Sequence, residues 1–128
     1  MKVIVCGGRF YANKDEMFGV LDSAHAECPF TTLAHGDYRG ADRLADQWAK
    51  ERGVMVQRFP ADWAIYGDSA GPRRNSRMLA EFRPHRVFAF AGADGTADMV
   101  RKALRAGVPV WDGSADPVLD LFVTPRSA

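Results

Sequence analysis

The 128-residue sequence predicts an α/β fold, a parallel sheet covered by helices on both faces. Three observations carry this reading. Short apolar runs such as Val3-Ile4-Val5-Cys6 and Val87-Phe88-Ala89-Phe90 suit strands buried on both sides. Segments with apolar residues at helical spacing follow these runs. Between run and helix lies a glycine-bearing turn, at Gly7-Gly8-Arg9, at His35-Gly36-Asp37 and at Gly92-Ala93-Asp94-Gly95-Thr96.

Taken in order, residues 2–6 form the first strand, and Asn13 or Asp15 caps a helix running to about residue 27. Its stripe is Met17, Val20, Leu21 and Ala24, and Pro29 follows its end. Residues 31–34 are a β-branched, partly apolar second strand. The next helix sets Ala41, Leu44, Ala45, Trp48 and Ala49 on one face and Asp42, Arg43, Asp46 and Lys50 on the other, and Gly53 ends it. Trp48, on the apolar stripe, belongs to the core.

Residues 54–59 are the third strand, and residues 60–71 read as a polar and aromatic loop, of a length that points to covering a site. Pro72 opens a helix to about residue 81, with Asn75, Met78, Leu79 and Phe82 facing inward. Arg73, Arg74 and Arg77 lie near its start, where the helix dipole favours negative charge, so an anion would neutralise them. Residues 87–90 are the fourth strand, and Thr96 caps the helix after it or offers its hydroxyl, with Val100, Ala103 and Leu104 continuing the stripe to Gly107. Residues 108–111 form a fifth strand and residues 117–123 a short last helix. The domain thus spans residues 1–123, with a loose tail over residues 124–128.

The first and fourth strands are the most apolar, which makes them central neighbours and gives the order 3-2-1-4-5 in a Rossmann-like three-layer sandwich. Open sheets of this kind bind ligands at the strand carboxyl ends, at the switch point between those two strands. All three glycine turns open onto that edge. The candidate ligand-binding residues are therefore Gly7, Gly8, Arg9, His35, Gly36, Asp42, Arg73, Arg74, Asn75, Gly92, Gly95 and Thr96, around a ligand that carries phosphate. Each polar member has a plainer reading. Arg9 pairs with phosphate or is a surface arginine. Asp42 holds a ribose hydroxyl or is an acidic first-turn residue. His35 is a general acid or base, or a hydrogen-bonded histidine closing a strand. Trp63 and Tyr66 stack on a base, or plug their loop onto the core.

Composition narrows the function classes. With 17 Lys+Arg against 16 Asp+Glu, the formal net charge of +1 gives no global reason to seek a nucleic-acid or membrane partner. The two cysteines, Cys6 and Cys28, make no disulfide framework and no zinc spacing, which points to a cytoplasmic protein with reduced thiols, no metal and no resident cofactor. The apolar run after Met1 is far short of a signal segment or a membrane span, so the chain is expected to begin directly with folded structure. The expected partner is a nucleotide-derived small molecule, with homo-oligomerisation left open.

Five motifs carry a family resemblance over nearly the whole chain: Gly7-Gly8-Arg9; His35-Gly36 with Gly40-Ala41-Asp42; Pro60-Ala61-Asp62-Trp63; Ala70-Gly71-Pro72-Arg73-Arg74-Asn75 with Met78; and Gly95-Thr96-Ala97-Asp98-Met99. Together they resemble the YspA/YpsA-related branch of the SLOG (SMF/DprA-LOG) superfamily. That resemblance implies a Rossmann-like domain that binds or senses nucleotides or nucleotide-derived ligands such as ADP-ribose or NAD-like molecules. It does not by itself imply catalysis. The related LOG-type phosphoribohydrolases cleave the N-glycosidic bond of nucleoside monophosphates with an arginine and a glutamate. Arg74-Asn75-Ser76-Arg77-Met78 is similar to their Arg-Lys-x-x-Met motif, which makes Arg74 the candidate catalytic arginine. Residues 92–99 are similar to their Gly-Gly-x-Gly-Thr-x-x-Glu motif, but Met99 stands in place of the glutamate. A thioether neither activates water nor stabilises positive charge on a sugar, and Asp98 or Asp94 would substitute only with a shifted backbone. A phosphoribohydrolase is thus the second expectation. A DprA-like DNA-associated protein is the third, against which the near-zero net charge speaks.

Overall fold

In the computed structural model, which describes residues 1–113, strand β1 (Lys2–Cys6) shows why the sheet is buried on both faces. Side chains alternate along a strand, so Val3 and Val5 enter one apolar cluster while Ile4 enters another on the opposite face. The same parity divides Leu33 from Ala34 and Phe88 from Val87. The sheet is parallel and its order is β3-β2-β1-β4-β5, with β2 (Thr32–His35), β3 (Met55–Arg58), β4 (Arg86–Ala89) and β5 (Val110–Trp111). Central β1 pairs with β2 through Val3 and Leu33 and with β4 through Val5 and Phe88. This is the expected Rossmann-like sandwich and the expected order.

Helices α1 (Lys14–Glu27) and α2 (Ala41–Arg52) cover the first face, bringing Met17, Leu21, Ala45 and Trp48 against Val3, Val5 and Phe88. Trp48 is fully buried, and its indole N–H donates to Asp22 Oδ1 at 2.9 Å. Of the two expected caps for α1, Asn13 is the one used, its side chain accepting from Glu16 N at 3.1 Å. The second face is covered by α4 (Ala70–Phe82) and α5 (Asp94–Arg105), whose Met78, Phe82, Met99 and Ala103 meet Ile4, Val87 and Phe59.

Three expectations need correction. The segment 60–71 is not a bare loop: it holds a short helix α3 (Trp63–Tyr66) and a 3-10 turn (Gly67–Ser69) running into α4, which begins two residues before Pro72. Proline is tolerated there because a first-turn N–H has no acceptor within the helix. Thr96 does not cap α5; Ala93 holds that position, with no side-chain cap. The third and fifth strands are shorter than read: Val54 N and Val108 N donate back to the preceding helices, at Ala49 O and Ala103 O, rather than to a neighbouring strand. The expected last helix and tail fall outside the described residues. Among the described residues no helix is long and apolar enough to cross a membrane.

Candidate functional site

The carboxyl ends of β1, β2 and β4 open into one cleft of about 750 Å³. It is lined by Gly7, Gly8, Arg9, Gly36, Asp42, Arg74, Asn75, Gly92, Gly95 and Thr96, ten of the twelve ligand-binding residues read from the sequence. The three glycine turns do converge. Gly8 N donates to Ala91 O at 2.8 Å and Gly8 O accepts from Ala41 N at 3.1 Å, so the first turn is fastened to the residue before the third turn and to the start of α2. A Cβ at Gly8 would stand 2.8 Å from Ala91 O, which only glycine avoids.

The Arg74-Asn75 pair ties the walls together. Arg74 Nη1 donates to Gly36 O at 2.5 Å and its Nε to Asn75 Oδ1 at 3.0 Å. Asn75 Nδ2 in turn donates to Gly95 O and to Asp98 Oδ2, each at 3.1 Å. Two adjacent residues on α4 therefore hold the turn after β2 and the turn after β4 in fixed relation. At Gly36 a Cβ would collide with the Arg74 guanidinium and lie 3.0 Å from Asp42 Oδ2, so glycine lets these two charged groups flank one peptide.

Electrostatically the cleft is mixed. Burial weakens the basicity of Arg74, an effect that the Asp42 carboxylate opposes. Burial likewise pushes the Asp42 carboxyl up to about 6, against the pull of His35, Arg74 and the N–H groups of Tyr38 and Gly36. Cys6 at the floor is raised by burial and by Asp42, which keeps it a neutral thiol. Helices α2 and α5 both begin at this cleft without a side-chain cap, whereas α1 and α3 are capped by Asn13 and Asp62. In α2 the first of these N–H groups, on Ala41, already donates to Gly8 O, so the first-turn N–H groups of α5 are the ready donors to an anion.

Two of the twelve residues lie elsewhere. The His35 ring lines a separate open hollow with Asp46, Lys50 and Arg58. Its Nδ1 accepts from Asp37 N at 2.9 Å, which leaves Nε2 to donate to Asp46 Oδ2 at 2.7 Å. Burial would raise Asp46, but hydrogen bonds from Arg58, His35 and Lys50 outweigh it and hold the carboxyl far below its usual range. The exposed Arg73 donates from Nε to Ser69 Oγ at 3.1 Å and its guanidinium lies 4.5 Å from the Tyr66 ring centroid. Arg77 points to Glu81 at 3.8 Å, so one arginine of the three reaches the cleft.

Among the catalytic candidates, Asp98 is buried and paired with Arg101 at 3.1 Å and Lys102 at 2.9 Å. Met99 is fully buried in the second apolar cluster. Asp94 lines the cleft and is exposed. Among the described residues no group of three or more His, Cys, Asp or Glu side chains is placed to hold a metal ion.

The sequence reading did not single out Tyr38 or Cys6. Tyr38 lies on the cleft with Trp63, their ring centroids 6.0 Å apart. Its phenol is lowered by hydrogen bonds from Arg39 and Arg9. Arg9 and Arg39 also flank the exposed Phe10 ring, at 5.0 and 5.8 Å from its centroid. The mouth is thus edged by rings and guanidinium groups. A Tyr-Arg pair between two glycines, Gly36 and Gly40, was the available signal for Tyr38.

Residues 1–66 match the family described as YspA, cpYpsA-related SLOG family. The chain is also 32% identical over 116 residues to Gene 61 protein of Mycobacterium phage D29, covering 85% of this chain and 93% of that relative. No solved structure matches it. With half of its length matched and two of its three glycine turns in the matched part, this chain belongs to the YspA, cpYpsA-related SLOG family.

Proposed function

We propose that the cleft binds or senses a nucleotide or nucleotide-derived molecule, of the ADP-ribose, NAD-like or nucleoside-phosphate kind. The observation that carries this is the meeting of the uncapped start of α5 with the half-buried guanidinium of Arg74 at the switch point of a parallel sheet. The phosphate lies against residues 92–96, within reach of Arg74 or Arg9. The base stacks at the mouth among Tyr38, Trp63 and Phe10. Family membership agrees with a nucleotide-related ligand.

Binding without cleavage is the reading favoured by the acidic residues. The position aligned with the LOG glutamate is packed in the core as Met99, and Asp98 is engaged by two cations. Stabilising bound substrate and transition state equally gives no acceleration. A second reading, single-stranded nucleic acid, rests on the Arg9, Phe10, Arg39 and Tyr38 group, since guanidinium groups beside stacking rings suit such strands. The deciding experiment is a thermal-shift screen of AMP, GMP, CMP, UMP, NAD and ADP-ribose beside a single-stranded oligonucleotide at two salt concentrations. A nucleotide at about a hundred times its Kd adds about 2.7 kcal/mol, a rise in Tm of roughly 10 °C. No shift with any nucleotide refutes the proposal, and a salt-steep shift with the oligonucleotide alone selects the second reading.

A further inference from the structure

Asp42 is 7% exposed, and among the carboxylates lining the cleft it alone is buried, Asp68 and Asp94 being exposed. Its Oδ2 accepts from Tyr38 N at 3.2 Å, and the Gly36 N–H also supports the carboxyl. Among the described residues no cation comes within ion-pair distance of it. Arg74, whose charge Asp42 feels, spends its hydrogen bonds on Gly36 O, Phe59 O and Asn75 Oδ1. A carboxylate offers about four acceptor sites, and backbone donors fill only part of them. The remaining acceptor capacity belongs to a group lining a cleft whose other end holds the uncapped start of α5, where the one carboxylate, Asp94, is exposed to solvent.

From this polarity we infer that Asp42 is the specificity-determining residue of the cleft, selecting ligands that present hydroxyl donors, as the vicinal pair of a ribose does, to the α2 side. This rests on the nucleotide reading above and adds an orientation to it. The phosphate sits at α5 and the sugar at α2, because a second phosphate beside Asp42 would meet a buried negative charge. Deoxygenated sugars leave the rest of that carboxylate's acceptor capacity unfilled, so they bind poorly.

The test compares AMP with 2′,3′-dideoxyAMP by calorimetry, in the wild type and in Asp42→Asn, with inorganic pyrophosphate as a sugar-free probe. The wild type is expected to favour AMP by at least about tenfold, the effect of one charge-assisted hydrogen bond. In Asp42→Asn the preference shrinks to about threefold or less, with pyrophosphate bound as well as before or better. An unchanged preference in Asp42→Asn, or none in the wild type, overturns the inference while leaving nucleotide binding intact. Absence of AMP and pyrophosphate binding in both proteins overturns the nucleotide reading as well. The wild type alone gives a second readout that needs no variant. Its AMP preference falls between about pH 7.5 and pH 5 as Asp42 takes up a proton, and a preference that holds steady also counts against the inference. The phosphates of both ligands titrate alike and cancel in the ratio, and the charged or titratable groups facing Asp42 are His35, Arg74 and Cys6.

Discussion

Asp42→Asn is expected to make the protein more stable at neutral pH, although the residue is buried and hydrogen-bonded. Burial lifts this carboxyl from 3.8 to about 6, and the attraction of His35 and Arg74 and the N–H groups of Tyr38 and Gly36 do not fully compensate. A difference of about two units, at about 1.4 kcal/mol each, means that the ionised group costs the native state about 3 kcal/mol. The sign follows from the folded-state value lying above the unfolded one. The contribution of Asp42 to stability is fully present below about pH 3.8, where both states hold the proton, and it is lost as pH rises through about 6. Urea denaturation of both proteins between about pH 4.5 and pH 8 measures the gap. Asp42→Asn should lead by about 2–3 kcal/mol at the alkaline end, with the lead shrinking steadily towards the acid end. A gap independent of pH, or a wild type that is the more stable at pH 8, would refute the reasoning. A carboxylate kept in a cleft at such a cost is the pattern expected of a group retained for binding.

Other outcomes follow from the same geometry. Arg74→Ala should weaken AMP binding by roughly 1.5–3 kcal/mol in calorimetry, whereas Arg73→Ala, whose guanidinium sits over Tyr66, leaves affinity unchanged. Gly36→Ala should destabilise the fold by about 1–3 kcal/mol by thermal melting, because its methyl meets the Arg74 guanidinium; equal stability would show that Arg74 yields. Met99→Glu should not create a glycosidase. It buries a carboxylate beside Ile4, Phe82 and Val87, costing about 3 kcal/mol or more, and free base released from AMP should stay at background.

The sheet order was legible because β1 and β4 are apolar at consecutive positions, which marks central strands, while β3 leaves Met55 72% exposed, as an edge does. The convergence of the glycine turns followed from that order. What the sequence did not disclose is the direction of single side chains. His35 lies two positions beyond Leu33 and so shares its face, the one covered by α2, where Asp46 waits; strand parity carried that signal. Arg73 and Arg74 are neighbours in sequence but about 100° apart around a helix, so only one can enter the cleft. Helix α3 escaped notice because its four residues are all exposed and leave no apolar period to detect. The motif alignment marked Met99 as a missing glutamate, but only the packing shows position 99 turned into the core.

The most direct test of the nucleotide cleft is to follow backbone amide chemical shifts by NMR while AMP or ADP-ribose is added. The largest changes are expected at Gly36, Asp42, Gly92, Gly95 and Thr96, saturating together, with little change around Asp46 and Arg58. Saturating nucleotide that leaves those five amides unmoved, or that moves the Asp46 and Arg58 side of the molecule instead, would contradict it.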